Sequence, residues 1–131
     1  MAGTIVADTL QDGAGNSTAM DNAIYGSAKA WVNFNGVTTV TIHASYNVSS
    51  VTRNNTGDYT INFTNAFSDV NYAVSSIGSN TTGSYNGTTS LYQTTIGANP
   101  MTTTSVRIRT TGNGNVSSSE DAYFACIACF R

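Results

Sequence analysis

Polar and apolar residues alternate along most of this chain with the two-residue period of a β-strand. In KAWVNFNG, Ala30, Val32 and Phe34 share one face and leave Trp31, Asn33 and Asn35 on the other. VTIHASYNV reads as one strand, with Val40, Ile42, Ala44, Tyr46 and Val48 inward and Thr41, His43, Ser45 and Asn47 outward. DYTINFT repeats the pattern with Tyr59, Ile61 and Phe63. Between those runs lies RNNTGD, rich in residues that tolerate positive φ, which predicts a hairpin. Further strands are expected over 71–78, 90–97, 104–112 and 122–130. Residues 79–90 show no period and predict a long exposed loop, and 112–121 are another turn-rich connection. Pro100 lies in the loop GANPM, where it interrupts no ladder.

Residues 1–27 behave differently. Ile5-Val6 and Ile24-Tyr25 are short apolar patches separated by a Gly/Asn/Ser-rich stretch, with a small helix expected around Ala19 to Ile24. The segment reads as an extended N-terminal arm or anchor that packs on something else. Residues 28–131 then form the domain proper. Seven or eight short strands spaced by turn signals predict an all-β fold, an antiparallel, jelly-roll-like β-sandwich.

Composition supports that reading. Ser, Thr and Asn make up roughly two-fifths of the chain and replace missing charge: only 9% is charged, against about 25% in ordinary soluble domains. Thr suits a pleated surface, and Asn, Ser and Gly suit turns. A net charge of −2 gives no footprint for nucleic acid. Arg107 and Arg109 share one strand face and read as a solvated strand edge. No apolar run nears the ~20 residues of a membrane span, so no membrane insertion is expected. MAGTIVADTLQDG lacks the basic and apolar regions of a secretion signal, so synthesis in a cytoplasm is expected. The seven Asn-x-Ser/Thr matches, beginning at Asn16, are read as composition rather than glycosylation.

The last strand, AYFACIACF, is apolar at every position. That is the mark of a strand covered on both faces, one by the domain's own core and one by a neighbour or second sheet. Cys126 and Cys129, three apart, fall on opposite sides of it, with Cα atoms roughly 10 Å apart at ~3.3 Å per residue. A disulfide requires less than about 7 Å. A zinc site would need two more ligands, and His43 is the only histidine. Both thiols are therefore expected to be free and idle, with no metal and no cofactor.

Catalytic patterns are equally scarce. His43 reads as an outward surface residue, and most acidic residues fall in turns, where Asp bonds its own backbone. Glu120 and Asp121 are the only adjacent acidic pair, and no GxSxG, P-loop or dinucleotide fingerprint occurs. No enzyme is expected and no catalytic residue is assigned. Tyr85, with Asn80 and Asn86, forms a candidate ligand-contact loop whose amides would bond sugar hydroxyls. Trp31, Phe130, Ile5 and Val6 are candidate subunit-interface residues, with Trp31 also a stacking platform in the carbohydrate-binding alternative.

KAWVNFNG at 29–36 and the run ASYNVSSVTRNNTGDYTINFTNAFSDVNYAV at 44–74 resemble a known family, as does the Cys-containing strand that ends in Phe-Arg. These blocks are similar to the small β-rich virion surface proteins and C-terminal tail-fibre domains of marine and cyanobacterial tailed phages. The resemblance covers about residues 28–75 and 122–131; between them only the Thr/Ser/Asn/Gly character matches. It implies a non-enzymatic structural protein of the virion, assembled in the host cytoplasm. The expected form is a homotrimeric tail-fibre or receptor-adhesion component bound to other virion proteins through its arm. Capsid decoration, as a head fibre, and host-glycan binding are the alternatives it implies.

Overall fold

The computed structural model describes residues 3, 6–80, 88–91, 99–111 and 119–131. Within them, β1 (Thr9–Gln11) and β2 (Ser17–Ala19) pair as a short antiparallel ribbon. Its turn is organised by Asp12, whose carboxylate accepts from the Ala14 and Asn16 amides at 2.9 Å each. Helix α1 (Met20–Gly26) follows at once, where the expected small helix lies.

Eight further strands build the sandwich: β3 (Ala28–Asn35), β4 (Thr41–Tyr46), β5 (Val48–Asn55), β6 (Asp58–Phe63), β7 (Ala73–Asn80), β8 (Thr88–Leu91), β9 (Ser105–Thr111) and β10 (Ala122–Phe130). They form two four-stranded antiparallel sheets, ordered β4-β3-β10-β7 and β5-β6-β9-β8. The first and last strands of the sandwich, β3 and β10, lie side by side. The all-β sandwich read from the alternation is therefore the fold.

The inner faces follow the sequence period. Ala30, Val32 and Phe34 of β3 are buried beside Ala125, Ile127 and Cys129 of β10. They meet Tyr59, Ile61 and Phe63 of β6 and Val106 and Ile108 of β9, all buried. Each large side chain so buried contributes about 1.5–3 kcal/mol. Phe34 meets the Tyr59 ring edge-on at 5.2 Å between centroids. Phe63, Phe67 and Tyr72 close one end of the core, with Phe67 stacked on Tyr72 at 4.5 Å.

Three expectations require correction. VTIHASYNV is not one strand: β4 ends at Tyr46 and β5 begins at Val48 in the other sheet. Asn47, at φ 53, makes the crossing. All of β4 is exposed, and a register shift opposite Asn33/Phe34 inverts its alternation. Ala44 and Tyr46 pair with the outward Asn33 and Trp31, while Ile42 pairs with the inward Phe34. The predicted inward set Ile42, Ala44 and Tyr46 is thus split between faces; only Val40 and Val48 pack partly against the core. Second, strand extends into both ends of the expected 79–90 connection, through Asn80 and from Thr88, while 81–87 lie outside the described residues. Third, β9 lies between β6 and β8, so Arg107 and Arg109 do not sit on a strand edge.

Asn47 secures the crossing with its side chain as well as its backbone. Its amide nitrogen donates to the Lys29 and Asn65 carbonyls at 3.1 and 3.2 Å, and its oxygen accepts from the Asn65 amide at 2.7 Å. Alanine lacks those bonds and resists positive φ, so Asn47→Ala is expected to lose about 2–4 kcal/mol. Asn47→Gly, which keeps the backbone conformation, should lose about half as much. Urea unfolding midpoints of the two variants check this.

Candidate functional site

Cross-strand partners share a face, so the register fixes what the β4-β3-β10-β7 sheet presents outward. One row runs Ser75, Ala128, Trp31, Tyr46; the next runs Ile77, Cys126, Asn33, Ala44. Phe124 and Phe130 extend the face at its two ends along β10. Ile77 is 67% exposed, Tyr46 59%, Phe124 43% and Trp31 39%. On β3, β10 and β7, Trp31, Asn33, Ala128, Cys126, Ser75 and Ile77 line an open, predominantly apolar groove of about 390 Å3. Within the groove the Asn33 side-chain oxygen Oδ1 is buried and has no hydrogen-bond partner among the described residues. A buried acceptor left unmet costs about 1–3 kcal/mol.

This face carries no acidic side chain. Its cations are marginal: Lys29 donates to the Ile24 carbonyl and to Ser27 Oγ (2.7 Å), and the Arg131 guanidinium pairs with Asp69. His43 sits exposed on the edge strand β4. The two thiols of β10 face opposite ways, as the spacing predicted, and both are free. Burial raises the Cys126 thiol above its ordinary value and pushes Cys129 up to about 11. Neither is primed as a nucleophile. Among the described residues no group of three or more His, Cys, Asp or Glu is placed to hold a metal ion. No helix among them is long and apolar enough to cross a membrane.

The outer face of the β5-β6-β9-β8 sheet has the opposite character. Asn62 Nδ2 donates to Ser50 Oγ (3.0 Å) and Thr52 Oγ1 (3.2 Å), and Asn54 Nδ2 donates to Thr60 Oγ1 (2.9 Å). Arg107 grips Asp58 through Nε and Nη2 at 2.8 and 2.5 Å. These bonds hold the Asp58 carboxyl below the usual carboxylate range, against the upward push of burial. Arg109 donates to Ser119 Oγ at 2.8 Å.

A second buried cluster joins the two sheets. Asp121, just before β10, accepts from Arg53 Nε (2.9 Å) and Nη2 (2.8 Å), from the Gly57 amide (2.9 Å) and from the Tyr59 hydroxyl (2.9 Å). The Tyr59 oxygen in turn accepts from the Ala122 amide at 3.1 Å. Its single proton lies between Asp121 and the Gly36 carbonyl at 3.1 Å, and the shorter, charge-assisted bond to the carboxylate is the stronger. Burial raises the Asp121 carboxyl, but the donors from Arg53, Gly57 and Tyr59 outweigh it and hold it below the usual range. Desolvation lifts the Tyr59 phenol to about 12. The cluster clamps the β5-β6 hairpin to the start of β10.

The structure brings Trp31 and Phe130 onto one outer face. Val6 is fully open in the leading segment, and Ile5 lies outside the described residues. Tyr85 and Asn86 also lie outside them, while Asn80 ends β7 opposite Ala122. The alternation of β3 had already put Asn33 on the Trp31 face, but sequence reasoning missed Tyr46 and Ile77 as members of it. It assigned Tyr46 inward, and only the register with β3 reverses that. The sequence matches no protein-family model, and no curated protein or solved structure matches it either.

Proposed function

We propose that this chain is a non-enzymatic structural protein of a tailed-phage virion surface, a homotrimeric tail-fibre or receptor-adhesion component. The observation that carries the reading is the uncovered apolar face bearing Trp31, Tyr46, Ile77 and Phe124. Contiguous apolar patches of that kind mark protein contacts on soluble domains. The resemblance of KAWVNFNG and TGDYTINFT to phage fibre domains supplies the virion context. The leading ribbon and helix expose Val6, Leu10, Ile24 and Tyr25, the apolar contacts an anchor needs. Host-surface glycan remains the receptor class that an adhesion component of this kind would meet.

Light scattering at micromolar concentration is expected to give a mass three times 13.7 kDa. A clean monomer overturns the trimer. Removing residues 1–27 is expected to abolish incorporation into particles while leaving the trimer folded. Incorporation without them would show that the leading segment is not the anchor. Locating the chain in a low-resolution virion map separates a tail position from a capsid one.

A further inference from the structure

We infer that the outer face of the β4-β3-β10-β7 sheet turns toward the axis of the homo-oligomer, where neighbouring copies of this chain seal it over Cys126. The inference rests on the self-association in the reading above and names the surface that performs it.

Four observations select a further copy as the occupant. The first is β10 itself. Its nine residues are all apolar, whereas β6 (DYTINF) and β9 (SVRIRTT), each buried on one side, alternate with polar residues. A strand written without alternation is covered on both faces, and among the described residues only the inner face of β10 is covered. The second is charge. The rows Ser75–Ala128–Trp31–Tyr46 and Ile77–Cys126–Asn33–Ala44 hold no ionised group. Such a face meets its own copy without like-charge opposition, while a charged partner would lose hydration with nothing in return. The third is the unmet Asn33 Oδ1, which takes a donor from the arriving copy. The fourth is size. Four strands at ~4.8 Å and seven residues at ~3.3 Å span roughly 440 Å2 of flat sheet, and side-chain relief adds to it. That is the order of the ~800 Å2 each partner buries in a specific complex.

The two thiols make this testable. Cys129 reports the core and Cys126 reports the outer face, from the same strand. The 131-residue chain at micromolar concentration, exposed to a thiol-reactive dye, is expected to label neither. Unfolded in urea, it should label both. Ile77→Asp, beside Cys126, and Tyr46→Lys, at the far side of the row, are each expected to reduce the mass toward one chain. Each should also speed labelling of one thiol at least roughly tenfold. The two substitutions perturb thiol ionisation in opposite directions, so faster labelling in both reports uncovering rather than acidity. Adding Cys126→Ser should remove that label and leave Cys129 protected.

An intact oligomer whose Cys126 labels at the rate of the charged variants overturns the inference, while the homotrimer stands. So does an unchanged mass in both folded variants. A wild-type monomer overturns both readings. Should one variant fail to fold, by loss of the strand circular-dichroism signal, the other decides.

Discussion

Asp121→Ala is expected to destabilise the protein by roughly 3–5 kcal/mol, because it leaves a half-buried charge and the Gly57 amide without their acceptor and turns the Tyr59 hydroxyl to the Gly36 carbonyl alone. The Arg53 guanidinium, the Gly57 amide and the Tyr59 hydroxyl all converge on that carboxylate. Asp121→Asn keeps the shape and one acceptor oxygen but turns an amide donor toward other donors, so about half the loss is expected. Acid should mimic the substitution. Both Asp121 and Asp58 have carboxyls held below the usual range in the fold. The unfolded chain therefore takes up protons first as pH falls below about 4–5, and stability declines from there through the depressed folded values. Above that window the contribution is complete. Urea midpoints at pH 7 and pH 3 measure it: Asp121→Asn should show a smaller drop than wild type. Equal drops would falsify the assignment of acid sensitivity to this carboxylate.

Gly57→Ala should cost at least about 3 kcal/mol, from backbone conformation and contact together. Gly57 turns the β5–β6 hairpin at φ 65. A Cβ there would lie 2.6 Å from the Thr110 carbonyl oxygen and 2.7 Å from that of Glu120. Both are backbone atoms, and both are held: Thr110 N donates to the Gly57 carbonyl and Glu120 N donates to that of Thr110. The turn would have to lift away, drawing the Gly57 amide off Asp121. Asparagine adopts positive φ readily, so Gly57→Asn separates the causes. It should remain nearly as damaged as alanine, since it carries the same Cβ. A wild-type unfolding midpoint for Gly57→Asn would show that the contact has no effect.

How far the sequence could be read depended on whether neighbours in space were neighbours in the pattern. Tyr59, Ile61 and Phe63 lie on an unbroken two-residue period, and they are buried as that period requires. The spacing of Cys126 and Cys129 places them on opposite faces by the same geometry. The period failed where one residue reset it. Asn47 adopts a left-handed conformation, and an irregularity in β4 shifts the register, so a five-residue alternation became pieces of two sheets. Asparagine tolerates that conformation, yet in a chain so rich in asparagine the signal does not stand out. The Asp121 clamp was illegible for another reason. Its partners are 62 to 68 residues away in sequence, and in SSSED an aspartate looks like any turn former. The outer face was half legible: AYFACIACF reads as apolar on both sides, and so it is, but its neighbours Tyr46 and Ile77 join that face only through the pairing.

The adjacency of β3 and β10 bears on how the molecule takes mechanical force. Ala28, where the chain enters the sandwich, lies opposite Phe130, while Gly36 at the other end of β3 bonds to Ala122. A pull applied at the entry and resisted at the opposite pole therefore runs along the axis of β3. Hydrogen-bond ladders to β4 and β10 flank that strand on both sides. They are strained in shear, so the rungs must yield together rather than unzip one by one. A load borne by the residues ahead of Ala28 would thus meet β3 in shear rather than peel it away.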